Sequence, residues 1–289
     1  MSLKSKLDSN NFAVIAEMEP PKGVDTSLML TNARKIKGRV DSIIVPEMSN
    51  AVMRMSSLGA AMLLQTLGME TVMQVSCRDR NRIALQADLL AASACGIPNI
   101  MAVSGEAPSF GDHHQAKAVY DIDLIELLQA IQQLQNGHDM AGIDLSGSPQ
   151  FITGSTLNTG FKGLALELEI EEMNKKIDTG VEFFVTHPLF DIFSIEPFLK
   201  LVDHKKIKII PTVLLLKSAG MARYMARNMD YINIPDTCIN RIQKAPDKVH
   251  ECIHISQEMI STLKKEGFAG VAISTLGWED RLPEILEGI

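Results

Sequence analysis

Two glutamates that could move protons stand at the ends of apolar runs far apart in the chain. One is Glu17 or Glu19, in Glu17-Met18-Glu19-Pro20-Pro21; the other is Glu106, in Ser104-Gly105-Glu106. A carboxyl lifted out of its usual range by burial becomes a general acid, able to protonate a leaving nitrogen or oxygen at neutral pH. Strand alternation puts Glu17 and Glu19 on the same side, so one donates while the other caps the loop. His187, closing the run Phe183-Phe184-Val185-Thr186, is placed to bind a ligand or to titrate near neutrality; the alternative is a histidine satisfied structurally. Arg78 and Arg80 in Cys77-Arg78-Asp79-Arg80-Asn81 offer a phosphate two guanidinium forks, or else they are solvated residues at a helix start capped by Asp79. The loop Ser104–His113 contains Gly105, which lets backbone approach a phosphate or a planar ring closely, or forms a plain turn.

A second pattern is more conspicuous. His250-Glu251-Cys252-Ile253-His254 spells H-E-x-x-H, which on a helix can hold zinc and a general base. The apolar phase of that helix, however, runs through Val249, Cys252, Ile253, Met259, Ile260 and Leu263, with Ser256 on the same face. Both histidines fall on the outward side, away from any strand end, and no third ligand or cleft is evident. They are expected to be solvated, and no metal is expected.

The elements that must position these groups alternate along the whole chain. Strand-like runs cover residues 13–19, 41–47, 70–77 and 99–106, then 150–158, 182–188, 208–215 and 270–277. Their near-continuous apolarity suits strands covered on both faces. Helical patterns lie between them, as at Asp123–Gln135 and Ser218–Asn228, and Gly68, Gly96, Gly180 and Gly267 mark helix-to-strand junctions. Eight such units in 289 residues predict an α/β protein with a single (β/α)8 barrel of the TIM type spanning residues 1–289. A doubly wound open sheet is the competitor, but no G-x-G-x-x-G follows the first run, where Pro20-Pro21 stands instead. In such a barrel the strand C-termini share one face. Glu17, Glu19, Glu47, Ser76, Cys77, Ser104, Glu106, Ser155, Asn158, Thr186, His187, Ser274 and Thr275 would all gather there.

The bulk numbers exclude some classes. With 28 basic and 35 acidic residues, a net charge of −7 and no basic block, neither nucleic acid nor an anionic membrane is an expected partner. No apolar run approaches the ~18 residues of a membrane span, and the first residues lack the apolar segment of a signal peptide. Four separated cysteines without a C-x-x-C pair suit a reduced, cytoplasmic protein.

Taken in order, the motifs resemble those of the methylenetetrahydrofolate reductase family of flavin-dependent barrels. The likeness covers residues 12 to 285 and is nearest to its short bacterial members. It rests on E-x-x-P-P at Glu17–Pro21, on the run Cys77–His113, and on Ala116–Leu128, similar to the family's segment near the flavin. Residues 169–191 complete it, with Lys175-Lys176, Gly180, Thr186-His187 and Phe190-Asp191. The resemblance implies FAD as cofactor and a tetrahydrofolate-type substrate, with 5,10-methylene-tetrahydrofolate reduced to 5-methyl-tetrahydrofolate. It makes Glu17 the general acid and sets Glu106 beside pterin and flavin. Gln74, Ser104, Gly105, Tyr120, Gly154, Ser155, Asn158, Glu169 and Lys176 would line the FAD, with His187 facing the folate. The electron donor would be NAD(P)H or a redox partner subunit, and a homo-oligomer is expected.

The chain also departs from the family pattern at ligand-facing positions. Glu106 replaces Asp, His187 replaces Gln, Gln74 stands where His is frequent, Asn158-Thr159 replaces Asn-Pro, and Ala219 lies near a folate-stacking aromatic. The departures keep a second reading open, a pterin-binding methyltransferase or flavin-free relative on the same barrel.

Overall fold

Each apolar run becomes one strand, and each pairs in parallel with the next. The computed structural model describes residues 2–229 and 232–289. The strands are β1 (Ala13–Glu17), β2 (Ser42–Val45), β3 (Thr71–Ser76), β4 (Asn99–Val103), β5 (Ile152–Leu157), β6 (Phe183–Pro188), β7 (Ile209–Leu214) and β8 (Gly270–Ser274). They close in chain order, β8 pairing back onto β1 with Ala16 opposite Ile273. The expected (β/α)8 barrel is therefore the fold, and the open-sheet alternative fails at that closing pair.

Helices α2 (Ser27–Ile36), α3 (Ser57–Thr66), α4 (Arg82–Ala94), α5 (Leu124–Gln135), α6 (Leu164–Asp178) and α7 (Glu196–Leu201) follow the first six strands in turn. Three helices, α8 (Ala219–Asn228), α9 (Asp236–Lys244) and α10 (Lys248–Glu266), fill the long crossover from β7 to β8, and α11 (Leu282–Leu286) ends the chain. Local chemistry explains their ends. Asp123 caps α5 in a reciprocal box, accepting from Glu126 N at 2.8 Å while Glu126 accepts from Asp123 N at 2.9 Å. Gly267 ends α10 at φ 81, a left-handed backbone that a Cβ would oppose.

A period of two sorts each strand between two cores. Ala13, Ile15, Ile44, Val72, Met101, Ile152, Phe183, Val185, Ile210 and Ala272 fill the barrel interior. Their neighbours, such as Val14, Ile43, Met73, Ile100 and Ile273, pack outward under the helices. The interior is stoppered from below by a helix that the sequence reading left without an element, α1 (Leu3–Asp8). Leu3 and Leu7 of α1 enter the inner cluster, and Leu3 N donates to Glu70 Oε1 at 3.0 Å. One end of the barrel is thus closed, so only the strand C-termini are left to open onto solvent.

On α10 the buried face is Cys252, Ile253, Ile255, Ser256, Met259, Ile260 and Leu263, the expected stripe with Ile255 added and Val249, at its first turn, only half-buried. His250 is exposed, and His254 faces Glu258 at 3.5 Å. Glu251 accepts from Arg241 Nε at 2.8 Å. Among the described residues no cluster of three His, Cys, Asp or Glu side chains could hold a metal ion, and no helix is long and apolar enough to cross a membrane.

Candidate functional site

Continuing the inward phase of each strand to its C-terminus identifies what lines the barrel mouth: Glu17, Gln74 and Ser76, Thr156, His187, Thr212 and Ser274. Glu17 is the acid among them. Its Oε1 accepts a 2.6 Å hydrogen bond from Ser274 Oγ, across the β1–β8 seam that closes the barrel. Burial pushes its carboxyl up from the ordinary 4.5 to about 7; the Ser274 bond opposes the rise, and the charges of Glu19 and Glu279 add to it. A carboxyl poised near 7 carries a proton at neutral pH and can release it.

Glu19 goes elsewhere. β1 ends at Glu17, so strict alternation stops there and the two glutamates take different partners. Glu19 Oε2 meets Arg54 Nη2 at 2.7 Å, while Arg54 Nη1 donates to Pro20 O at 3.3 Å. Burial raises Glu19 as well, against the pull of Arg54.

Glu106 does not join Glu17. It lies three strands away around the barrel, on the exposed loop after β4, with its Oε2 3.6 Å from Arg78 Nη1. Arg78 itself is buried rather than solvated or free for a phosphate. Its guanidinium grips Asp79 through Nε and Nη2 at 2.8 and 2.7 Å. It also donates to the carbonyls of Glu106 and Met48, tying the β2, β3 and β4 loops together. Arg80 bridges Glu47 at 2.7 Å and Asp88 at 2.8 Å. Neither arginine is left to hold a phosphate, and the cap of α4 is Asn81, not Asp79.

The remaining expected ligand residues divide in two. Gln74, Ser104, Gly105 and Tyr120 stand over β3 and β4. Gln74 Oε1 accepts from Glu47 N at 3.2 Å, and among the described residues its amide nitrogen meets only the Met101 sulfur, at 3.9 Å. That leaves strong donor capacity at the mouth. Tyr120 OH donates to Gly105 O at 2.9 Å. Gly105, at φ 83, turns so tightly over Ser76 that a Cβ would overlap the serine oxygen. Gly154 is needed by the protein too, because a Cβ there would collide with the Phe183 ring inside the barrel.

Ser155, Asn158, Glu169 and Lys176 instead build the β5–α6 junction. Ser155 points outward and donates to Ala102 O at 3.0 Å. Two adjacent strand residues cannot both face inward, so with Gly154 inside, the inward neighbour is Thr156, which the sequence reading missed and the period of two could have found. Glu169 Oε1 accepts from Asn158 N at 2.8 Å, and Asn158 Oδ1 accepts from Gly160 N at 3.0 Å. Lys176, 2% exposed, donates to Thr156 O at 3.1 Å and meets Glu172 at 2.8 Å. Gln74 thus offers its amide at the β3–β4 side of the mouth, and the β5–α6 groups form the wall beside it.

His187, next to last in β6, lines a cavity of about 400 Å³ with Thr159, Lys162, Ser194, Asn233, Leu189, Ile195 and Met229. Burial pulls the imidazole below its ordinary range, the Leu157 backbone partly offsets this, and the Lys176 charge adds to it. A neutral ring able both to donate and to accept results.

Comparison with known proteins identifies a family and similar folds. The family model of methylenetetrahydrofolate reductase matches residues 2–289. Methylenetetrahydrofolate reductase 2 of Schizosaccharomyces pombe is 22% identical over 261 residues, 86% of this chain but 40% of that protein, so the chain spans less than half of its curated relative. An uncharacterized Clostridium thermocellum protein that binds two copies of 5-methyl-5,6,7,8-tetrahydrofolic acid superposes with a TM-score of 0.66 at 15% identity, over 99% of this chain and 97% of that one. EDTA monooxygenase from Chelativorans sp. BNC1 shares the fold more distantly, at a TM-score of 0.55 and 10% identity, over 96% and 94% of the two chains.

Proposed function

The chain belongs to the methylenetetrahydrofolate reductase family, and from that premise we propose that it reduces 5,10-methylene-tetrahydrofolate to 5-methyl-tetrahydrofolate with Glu17 as the proton donor. The observation that carries this reading is the Glu17 carboxyl, held near 7 at the barrel mouth with a single neutral hydrogen-bond donor on it. Protonation of a ring nitrogen opens the five-membered ring of the substrate and leaves an electrophilic methylene carbon. A carboxyl of ordinary acidity would be ionised at pH 7 and unable to give that proton.

The cofactor in this reading is FAD, which when bound and reduced supplies the hydride. Gln74, Ser104, Gly105 and Tyr120 would hold the ring system, with Gly154 and the Ser155, Asn158, Glu169 and Lys176 junction shaping the adjoining wall. Glu106, on the loop after β4, and His187, on β6, would address the pterin, His187 through a neutral imidazole beside the 400 Å³ cavity that would take the rest of the folate. The electrons come from NAD(P)H or a redox partner subunit. The protein works in the cytoplasm as a homo-oligomer.

The test separates the half-reactions. Glu17→Gln is expected to leave cofactor reduction by the electron donor intact and to lower methylene reduction by about 10²–10⁴-fold. Equal loss of both half-reactions would remove Glu17 from the proton step. A second reading has its own support: Ser155, Asn158, Glu169 and Lys176 each already hydrogen-bond within the protein, and the structurally similar Clostridium thermocellum protein binds 5-methyl-5,6,7,8-tetrahydrofolic acid. In it the chain binds methyl-tetrahydrofolate without flavin. Protein that takes up no FAD on titration, yet binds 5-methyl-tetrahydrofolate, would favour this second reading.

A further inference from the structure

The β1–β8 seam holds a pair whose consequence for the proton step goes beyond the identity of the acid. Ala16 lies opposite Ile273 in the ladder, so Glu17 and Ser274 are the next residues on each strand. Ser274 is 5% exposed, and its carbonyl accepts from Leu215 N at 2.9 Å, which fixes the residue between β1 and β7. From that fixed place its hydroxyl reaches Glu17 Oε1 at 2.6 Å, short for an O–H donor.

Among the described residues the charged groups that act on Glu17 are both anionic: Glu19 just beyond β1 and Glu279 in the loop after β8. The nearby cations, Arg54 and Lys217, act on Glu19. The group that favours the Glu17 anion is the Ser274 hydroxyl.

We infer that Ser274 is a positioning residue for the proton step: it occupies Glu17 Oε1, so that Oε2 carries and releases the proton, and it holds the carboxylate that remains. The inference rests on the reading of Glu17 as donor. The step balances simply: the O–H bond at Oε2 breaks, the proton bonds to the substrate nitrogen, and the negative charge stays on a carboxylate still hydrogen-bonded at Oε1. Because the bond is made to the charged form, losing it must raise the acid's pKa.

Infrared difference spectroscopy of the whole protein reads this without turnover. The carbonyl stretch lost in Glu17→Gln identifies the Glu17 band, and its titration in the wild type is expected to centre at about 7. Ser274→Ala is expected to move that midpoint up by about one pH unit, and Ser274→Thr to restore it. The alkaline limb of methylene reduction should move with it, while donor-driven cofactor reduction stays unchanged. Ser274→Cys, nearly isosteric with a far weaker donor, carries the same expectation should the alanine variant unfold. A midpoint that stays at the wild-type value in a folded variant overturns the inference. Methylene reduction surviving in Glu17→Gln would instead overturn the reading of Glu17, while the titration would still report whether Ser274 holds its anion.

Discussion

The β1–β8 seam and the β5–α6 junction are built from the same kinds of residue and use them in opposite ways. At the junction the charged groups have partners of their own: Lys176 has Thr156 O and Glu172. Glu169, though raised by burial, is drawn back by Asn158 N and the Lys176 charge, while Asn158 Oδ1 accepts from Gly160 N. At the seam Glu17 is buried with one neutral donor and two like charges. Burying a charge is costly unless it is paired, and an acid denied a cation keeps its proton instead. The junction sets the Lys176 cation beside the half-buried Glu169, whereas the seam leaves Glu17 without one among the described residues.

The contrast can be broken in several ways. The largest effect is expected from Glu17→Gln, which should lower methylene reduction by about 10²–10⁴-fold, the usual worth of a general acid, in steady-state assays with the donor half-reaction as internal control.

Stability should register the same burial. With its pKa near 7 in the folded protein against 4.5 unfolded, Glu17 binds more protons folded than unfolded between those values. Wild-type stability should therefore fall as pH rises from 4.5 through 7 and level off above. In Glu17→Gln that component of the slope vanishes, leaving the variant more stable than wild type above pH 7 by on the order of 2 kcal/mol in urea unfolding.

At the junction the sign reverses. Lys176→Met should cost about 1–2 kcal/mol at pH 7 by leaving the Thr156 carbonyl unsatisfied, while leaving the Glu17 titration where it is. The smallest effect is expected at His254→Ala on the outside of α10, below about 0.5 kcal/mol by thermal unfolding and without change in activity, as for other exposed positions.

How much of this was legible from the sequence varied by element. The barrel was readable because eight apolar runs covered on both faces have few other ways to bury themselves. The outward placement of His250 and His254 was readable because a 3.6-residue stripe on α10 leaves the helix no choice of inner face. Glu17 stood out before Pro20-Pro21, yet its separation from Glu19 did not, since nothing in E-M-E-P-P says where β1 stops hydrogen-bonding. Ser155 was set beside Gly154 although strand geometry forbids both facing inward. Arg78 looked like a phosphate ligand because its partners, the carbonyls of Met48 and Glu106, lie about thirty residues away on either side.

The sequence by itself determined the periodicities, and with them the fold and the end of the barrel where chemistry must gather. Only the tertiary structure decided which carboxylate is buried with its pKa raised to about 7. Glu17, Glu19 and Glu106 are equivalent as letters, but a pKa depends on burial and on neighbours brought from elsewhere in the chain. Closure of β8 onto β1 sets Ser274 against Glu17, Arg54 takes Glu19, and Glu106 is left in solvent beside Arg78.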